Sequence, residues 1–202
     1  MPLSTVTSLC EASLKIRRST FIGYVVSATS IEAAKKAISD RAATHSRATH
    51  NCWAYILGYQ GETAHSSDAG EPSGSAGRPI LNALKSSSLT NVVAVVTRYY
   101  GGVKLGVRGL IEAYEEATIA ALAEAKLKPV IATVTFEVHL PYELASTFLH
   151  QVASFSAQCK QEYGAMVKCF VEVPVEQEQA CQKYLQTLAA TSKTTFDKLE
   201  RS

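Results

Sequence analysis

Residues 98–110 read RYYGGVKLGVRGL and set three cations, Arg98, Lys104 and Arg108, among four glycines, Gly101, Gly102, Gly106 and Gly109. Glycines let backbone N–H groups approach an anion closely, and a helix N-terminus adds its dipole, so this composition suits a phosphate or a carboxylate. A nucleoside-triphosphate loop is excluded, because Val107-Arg108 stands where such a loop has Lys-Ser or Lys-Thr. The dinucleotide fingerprint GxGxxG is absent too. Two readings remain open: a docking loop for an anion or a partner, or glycines that only turn the chain and let a helix pack on a strand. Tyr99 and Tyr100, with Tyr59, add aromatic faces of the kind that stack on bases in single-strand binders.

A second group lies in SSDAGEPSGSAGRPI, residues 66–80, which carries Asp68, Glu71 and Arg78, with His50 and His65 upstream. Convergence of the carboxylates with a histidine would allow acid/base hydrolysis. Alternatively, Asp68 and Glu71 cap a turn and a helix, or pair with Arg78 and Arg98. GSAG lacks the order of a nucleophile elbow, since Ser73 stands where glycine is required. His45, His50, Cys52 and His65 match no zinc spacing, and His50 and Cys52 fall on one face of a strand with Trp53 on the other. No metal or cofactor is expected, and no residue is assigned as catalytic.

These residues need a scaffold. KIRRSTFIGYVVSAT (15–29) has the β-branched and aromatic content of a strand or hairpin, and residues 31–45 after Ser30 have the spacing of an amphipathic helix. HNCWAYIL (50–57) reads as a strand, followed by a polar loop from Tyr59 to about Gly74. A helix over 79–88, an apolar strand over 91–97 and a long helix from Gly109 to Lys126 complete the first part. Lys128-Pro129 marks the expected boundary, giving domains 1–128 and 129–202. After it the order is strand 130–140, helix 141–153, strands FSAQCKQEY and AMVKCFVEV, helix VEQEQACQKYLQTLAA and strand KTTFDKLE. That order is the ferredoxin-like βαββαβ sandwich, with one sheet face left free for a partner. The fold class expected is α+β in two domains.

At 202 residues with 47% hydrophobic and 19% charged, the chain has the composition of folded domains. The N-terminal residues lack the pattern of an export signal, and no apolar run approaches the length that spans a bilayer. Five scattered cysteines without CxxC spacing suit reduced thiols, so a cytoplasmic protein without a membrane partner is expected. Up to Lys128 there are 14 Lys and Arg against 10 Asp and Glu, and after it 6 against 8, so an anionic partner would meet the first part.

RRSTFIG (17–23), HNCWAY (50–55), SDAGEPSGSAGRPIL (67–81) and VVTRYYGGVKLGVRGLIEAY (95–114), in that order, resemble the IMPACT family, most closely its bacterial YigZ branch. The resemblance covers about residues 12–127, and the C-terminal part resembles the ferredoxin-like domain that bacterial members append. It implies a first domain like the second domain of a small-subunit ribosomal protein, also seen in elongation factor G. It also implies a binding or regulatory role in translation, with RNA, the ribosome or a translation-associated protein as partner. Carried over position by position, Asp68, Gly70, Glu71, Pro72, Gly77, Arg78 and Pro79 occupy the family's acidic-glycine loop. Arg98, Tyr99, Gly101, Gly102, Leu105, Gly106, Gly109 and Tyr114 occupy its second motif. Ala69 and Arg108 depart from the pattern: relatives often carry a second aspartate or another polar residue at the first position and commonly glycine at the second. The alternative is a hydrolase that uses Asp68 and Glu71 with a nearby histidine. A third reading is protein docking through the free C-terminal sheet face.

Overall fold

The computed structural model describes residues 3–199, so Glu200, the last residue of the expected final strand, lies outside the described residues. The chain forms two compact units, Met1–Val130 and Ile131–Ser202, in a two-domain α+β fold.

The first unit is built on a five-stranded antiparallel sheet of β2 (Cys10–Ile16), β3 (Ser19–Ser27), β4 (His50–Leu57), β5 (Thr63–Ser67) and β6 (Val92–Tyr99), in the order β2-β3-β6-β4-β5. The run NVVAVVT becomes the central strand β6, and Val92–Val96 are buried because both of its faces are covered. On one face Val92, Ala94 and Val96 pack with α2 (Gly77–Ser86) and α3 (Gly106–Ala123). On the other, Val93 and Tyr55 pack with α1 (Ile31–Thr44), whose first turn is capped by the Ser30 hydroxyl accepting from the Ala33 N–H at 3.1 Å. A Cβ on Gly23 would stand 2.1 Å from the Ala117 carbonyl oxygen, so this glycine sets how closely α3 lies on β3.

Three elements differ from the sequence reading. The expected loop 59–74 contains β5, a polar edge strand whose pairing with β4 supplies the order that its composition does not. The long helix starts at Gly106, not Gly109, so the connection from β6, which runs on through Tyr99, is only residues 100–105, and Gly106 and Gly109 lie within the helix's first two turns. It ends at Ala123, and Leu127–Pro129 forms β7, paired with β1 (Ser4–Val6). That pairing partner lies at the far end of the unit's sequence, where local pattern gives no sign of it.

The second unit contains β8 (Thr133–Leu140), α4 (Tyr142–Ala153), β9 (Gln158–Tyr163), β10 (Val167–Pro174), a 3-10 turn, α5 (Glu178–Thr191) and β11 (Thr195–Leu199), with sheet order β11-β8-β10-β9. Val134, Phe136, Val138 and Leu140 alternate inward with Val167, Cys169, Val171 and Val173 and bury Phe148 and Val152 of α4 and Cys181 and Leu185 of α5. The intervening residues leave the opposite sheet face uncovered by helices, as the alternation predicts.

Gly23→Ala is expected to force α3 off β3 and to destabilise the first unit by about 1–3 kcal/mol. Urea unfolding followed by fluorescence of Trp53, the chain's one tryptophan, reads this unit directly.

Candidate functional site

Asp68 follows β5 and holds the start of α2. Its carboxylate accepts N–H bonds from Gly74 (2.8 Å), Ala76 (2.9 Å) and Gly77 (2.8 Å), which fills donors that no side chain of α2 caps. Burial acts to raise the Asp68 pKa, but the three N–H bonds together hold it below the ordinary aspartate value. Gly77 is required here, because a Cβ would come within 2.7 Å of the Ser67 backbone.

Ala69 and Gly70, at φ +44° and +92°, then turn the chain so that Glu71 points inward. Its side chain is 3% exposed, and one carboxylate oxygen accepts from Arg98 at 2.6 Å and from the Tyr114 hydroxyl at 2.7 Å. The Cys52 thiol donates to the Asp68 carbonyl at 2.9 Å and lies 3.3 Å from the Tyr114 hydroxyl. Burial pushes the Cys52 thiol up to about 12 and raises the Tyr114 phenol as well, so both are protonated donors at neutral pH. His50 closes the loop from the side through Nδ1, 2.9 Å from the Ala69 carbonyl oxygen.

The structure therefore brings together Asp68, Glu71, Arg98 and His50, and it separates His65 from them. His65 lies opposite Tyr55 in the β4–β5 register, with ring centroids 5.5 Å apart, on the sheet face that α1 covers. Arg98 corrects the sequence reading of an outward cation. It has the same parity along β6 as Val92, Ala94 and Val96, so it enters the interior, with its guanidinium 5.4 Å from the Phe21 ring centroid and 5.3 Å from that of Tyr100. Tyr99 also leaves the outer surface, since its hydroxyl bonds His45 Nδ1 at 2.9 Å on the α1 side. Arg78 is exposed on α2 and forms no ion pair among the described residues. Among those residues no group of three or more His, Cys, Asp or Glu is placed to hold a metal.

The glycine loop stands at the end of β6. Gly101 presses against the turn between β2 and β3, where a Cβ would stand 1.9 Å from the Arg18 carbonyl oxygen, and its N–H donates to the Ser19 hydroxyl at 3.2 Å. Gly102 and Gly106 adopt φ of +84° and +74°, which glycine tolerates, and Lys104 in the loop and Arg108 in the first turn of α3 are exposed. Arg108 is 93% exposed and makes only a solvent-screened contact with Glu112, one turn along α3. Arg17 and Arg18, which the sequence reading did not assign to the site, join these cations from the hairpin tip. The sequence left residues 15–29 open as a strand or a hairpin, and no local signal placed the turn at Arg17-Arg18, since two-residue hairpin loops are ordinarily signalled by Asn-Gly or Asp-Gly. A shallow cleft of about 300 Å³ lies between the tip and α3, lined by Ile16, Arg17, Leu105, Arg108, Glu112 and Glu116 among others.

The family of the Impact N-terminal domain matches residues 17–122. The chain is 41% identical over 118 residues to the IMPACT family member YvyE of Bacillus subtilis, covering 58% of this chain and 54% of that one. It thus spans about half the length of that relative. It is 32% identical over 184 residues to the IMPACT family member YigZ of Escherichia coli, covering 86% of this chain and 85% of the relative. A solved structure described as the crystal structure of an hypothetical protein superposes with a TM-score of 0.73 at 26% identity over the whole of both chains. The chain belongs to the IMPACT family.

Two outcomes follow from the geometry. Arg98→Met leaves Glu71 buried without its cation and is expected to cost about 3–5 kcal/mol, much of it recovered when Glu71 is also made apolar, as a urea double-mutant cycle would show. Asp68, with its folded pKa below the ordinary 3.8, stabilises the fold above that value and loses the contribution as pH falls through the lower folded pKa. The stability gap between the natural protein and Asp68→Asn is therefore expected to hold from about pH 7 to about pH 5 and to shrink progressively as pH falls from about 5 through the lower folded pKa, measured by urea titration at each pH.

Proposed function

We propose that this IMPACT family member is a binding protein of the translation apparatus that holds RNA phosphates at the end of its N-terminal sheet. The observation that carries the reading is a division of charge. Glu71 and Arg98 are spent on each other inside the fold, and Asp68 is spent on the start of α2. Lys104 and Arg108 stand outside on a glycine loop, beside Arg17 and Arg18. Groups that a hydrolase would use are thus tied into the framework, while Arg17, Arg18 and Lys104 are exposed without an ion pair among the described residues and Arg108 keeps only its screened contact with Glu112. Phosphate contacts of this kind bind through counterion release and weaken steeply with salt.

Tyr99 is removed from this surface by its bond to His45, and Arg98 acts from beneath by fixing the loop's root. Gly101 and Gly102 shape the loop, and Gly106 starts the helix behind it. Arg78, exposed on α2, marks the outer side of the acidic-glycine loop.

Cosedimentation with ribosomes and their subunits across a salt series tests the reading. The natural protein is expected to sediment with them at low salt and to be released as salt rises. Lys104→Ala/Arg108→Ala, which leaves the buried pair untouched, is expected to lose most of that binding. Absence of cosedimentation at low salt, or an unchanged salt profile in the double variant, would count against it.

A further inference from the structure

The sheet end that carries the free cations also displays an aromatic ring held in place. Tyr100 is 44% exposed, yet its ring is backed by the Arg98 guanidinium at 5.3 Å and its N–H donates to the Thr49 hydroxyl at 3.0 Å. Arg98 is itself pinned by Glu71, so the ring is a platform whose ordering cost is met before any ligand arrives. Tyr59, the other exposed tyrosine weighed from the sequence, follows the opposite end of β4.

Beside the platform, Arg17 and Arg18 occupy the turn between Ile16 and Ser19 with φ of +44° and +69°. Left-handed backbone at two successive non-glycine residues is strained, and a turn of this form is built more easily from Asn-Gly. The strained arginines are exposed and form no ion pair among the described residues. The contact of Gly101 with the Arg18 carbonyl fixes the tip against the strand end that carries Tyr100.

We propose, resting on the RNA reading above, that this sheet end grips a single strand of RNA, with one base stacked on Tyr100 and neighbouring phosphates held by Arg17 and Arg18. A duplex keeps its base faces inside the stack, where an aromatic side chain cannot cover them, whereas an unpaired strand offers both a π-face and a phosphate. An acidic peptide would satisfy the cations and leave the platform unused.

Fluorescence anisotropy separates these cases, using a labelled RNA strand of about 12 nucleotides, its duplex, and DNA of the same sequence. The natural protein is expected to prefer the single strand to the duplex. Tyr100→Ala is expected to weaken single-strand binding about tenfold or more, and Tyr100→Phe to retain it. Arg17→Asn/Arg18→Gly relieves the backbone strain, so it should fold at least as well, yet the magnitude of its salt slope should fall by about 1.4 between about 50 and 200 mM salt. Equal affinity for duplex and single strand with no effect of Tyr100→Ala overturns the inference, while a surviving effect of Lys104→Ala/Arg108→Ala leaves the broader reading standing. Unchanged binding by the turn variant removes the arginines from the site, and a tenfold preference for DNA overturns the assignment to RNA. Failure of every nucleic acid to bind overturns both readings.

Discussion

Glu71 carries its carboxylate into an interior that leaves it 3% exposed, and the arrangement of the first unit where β6, α3 and the acidic-glycine loop meet depends on how that charge is balanced. An isolated carboxylate there would be too costly to keep ionised, so a cation and further donors must be supplied from other parts of the chain. Arg98 comes from the end of β6 and Tyr114 from the third turn of α3, and both meet the same carboxylate oxygen. The acidic-glycine loop, the central strand and the long helix are joined at this point. A buried pair of this kind adds little net stability over apolar packing, but it permits few alternative arrangements of the three elements.

From that junction the order passes outward. The same guanidinium that neutralises Glu71 lies between the rings of Phe21 and Tyr100, so the last residue before the glycine loop inherits a fixed position. Gly101 then seats the loop on the β2–β3 turn, Gly102 and Gly106 take positive φ, and Lys104 and Arg108 stand in solvent. Interior charge and exterior charge are thus separate: the first sets where the loop starts, and the second stands in solvent.

The parts of this arrangement that were legible in the sequence are those written in local pattern. Alternation in β8 and β10 marks a sheet covered on one side, and the unbroken NVVAVVT marks a strand covered on both. Strand β5 was not legible because Thr63–Ser67 carries little apolar content and is ordered by β4. The destination of Arg98 is a different case. Its type suggested an outward phosphate contact, whereas its even parity with Val92, Ala94 and Val96 placed it among residues facing α2 and α3. Pairing of Glu71 with Arg98, one of the alternatives open from sequence, is what forms, while Arg78 is left in solvent. Arg17 and Arg18 escaped because their turn runs against residue preference, and only the three-dimensional contact with Gly101 ties them to the glycine loop.

The most direct measurement of the central claim is a residue-by-residue NMR titration of the amide-labelled protein with a short single-stranded RNA. Shift changes concentrated at residues 17–18 and 100–108, with the buried residues around Glu71 little altered, are the predicted result. Changes centred on residues 68–77, or on the open face of β8 and β10, would contradict it and place binding on the acidic-glycine loop or on the C-terminal sheet.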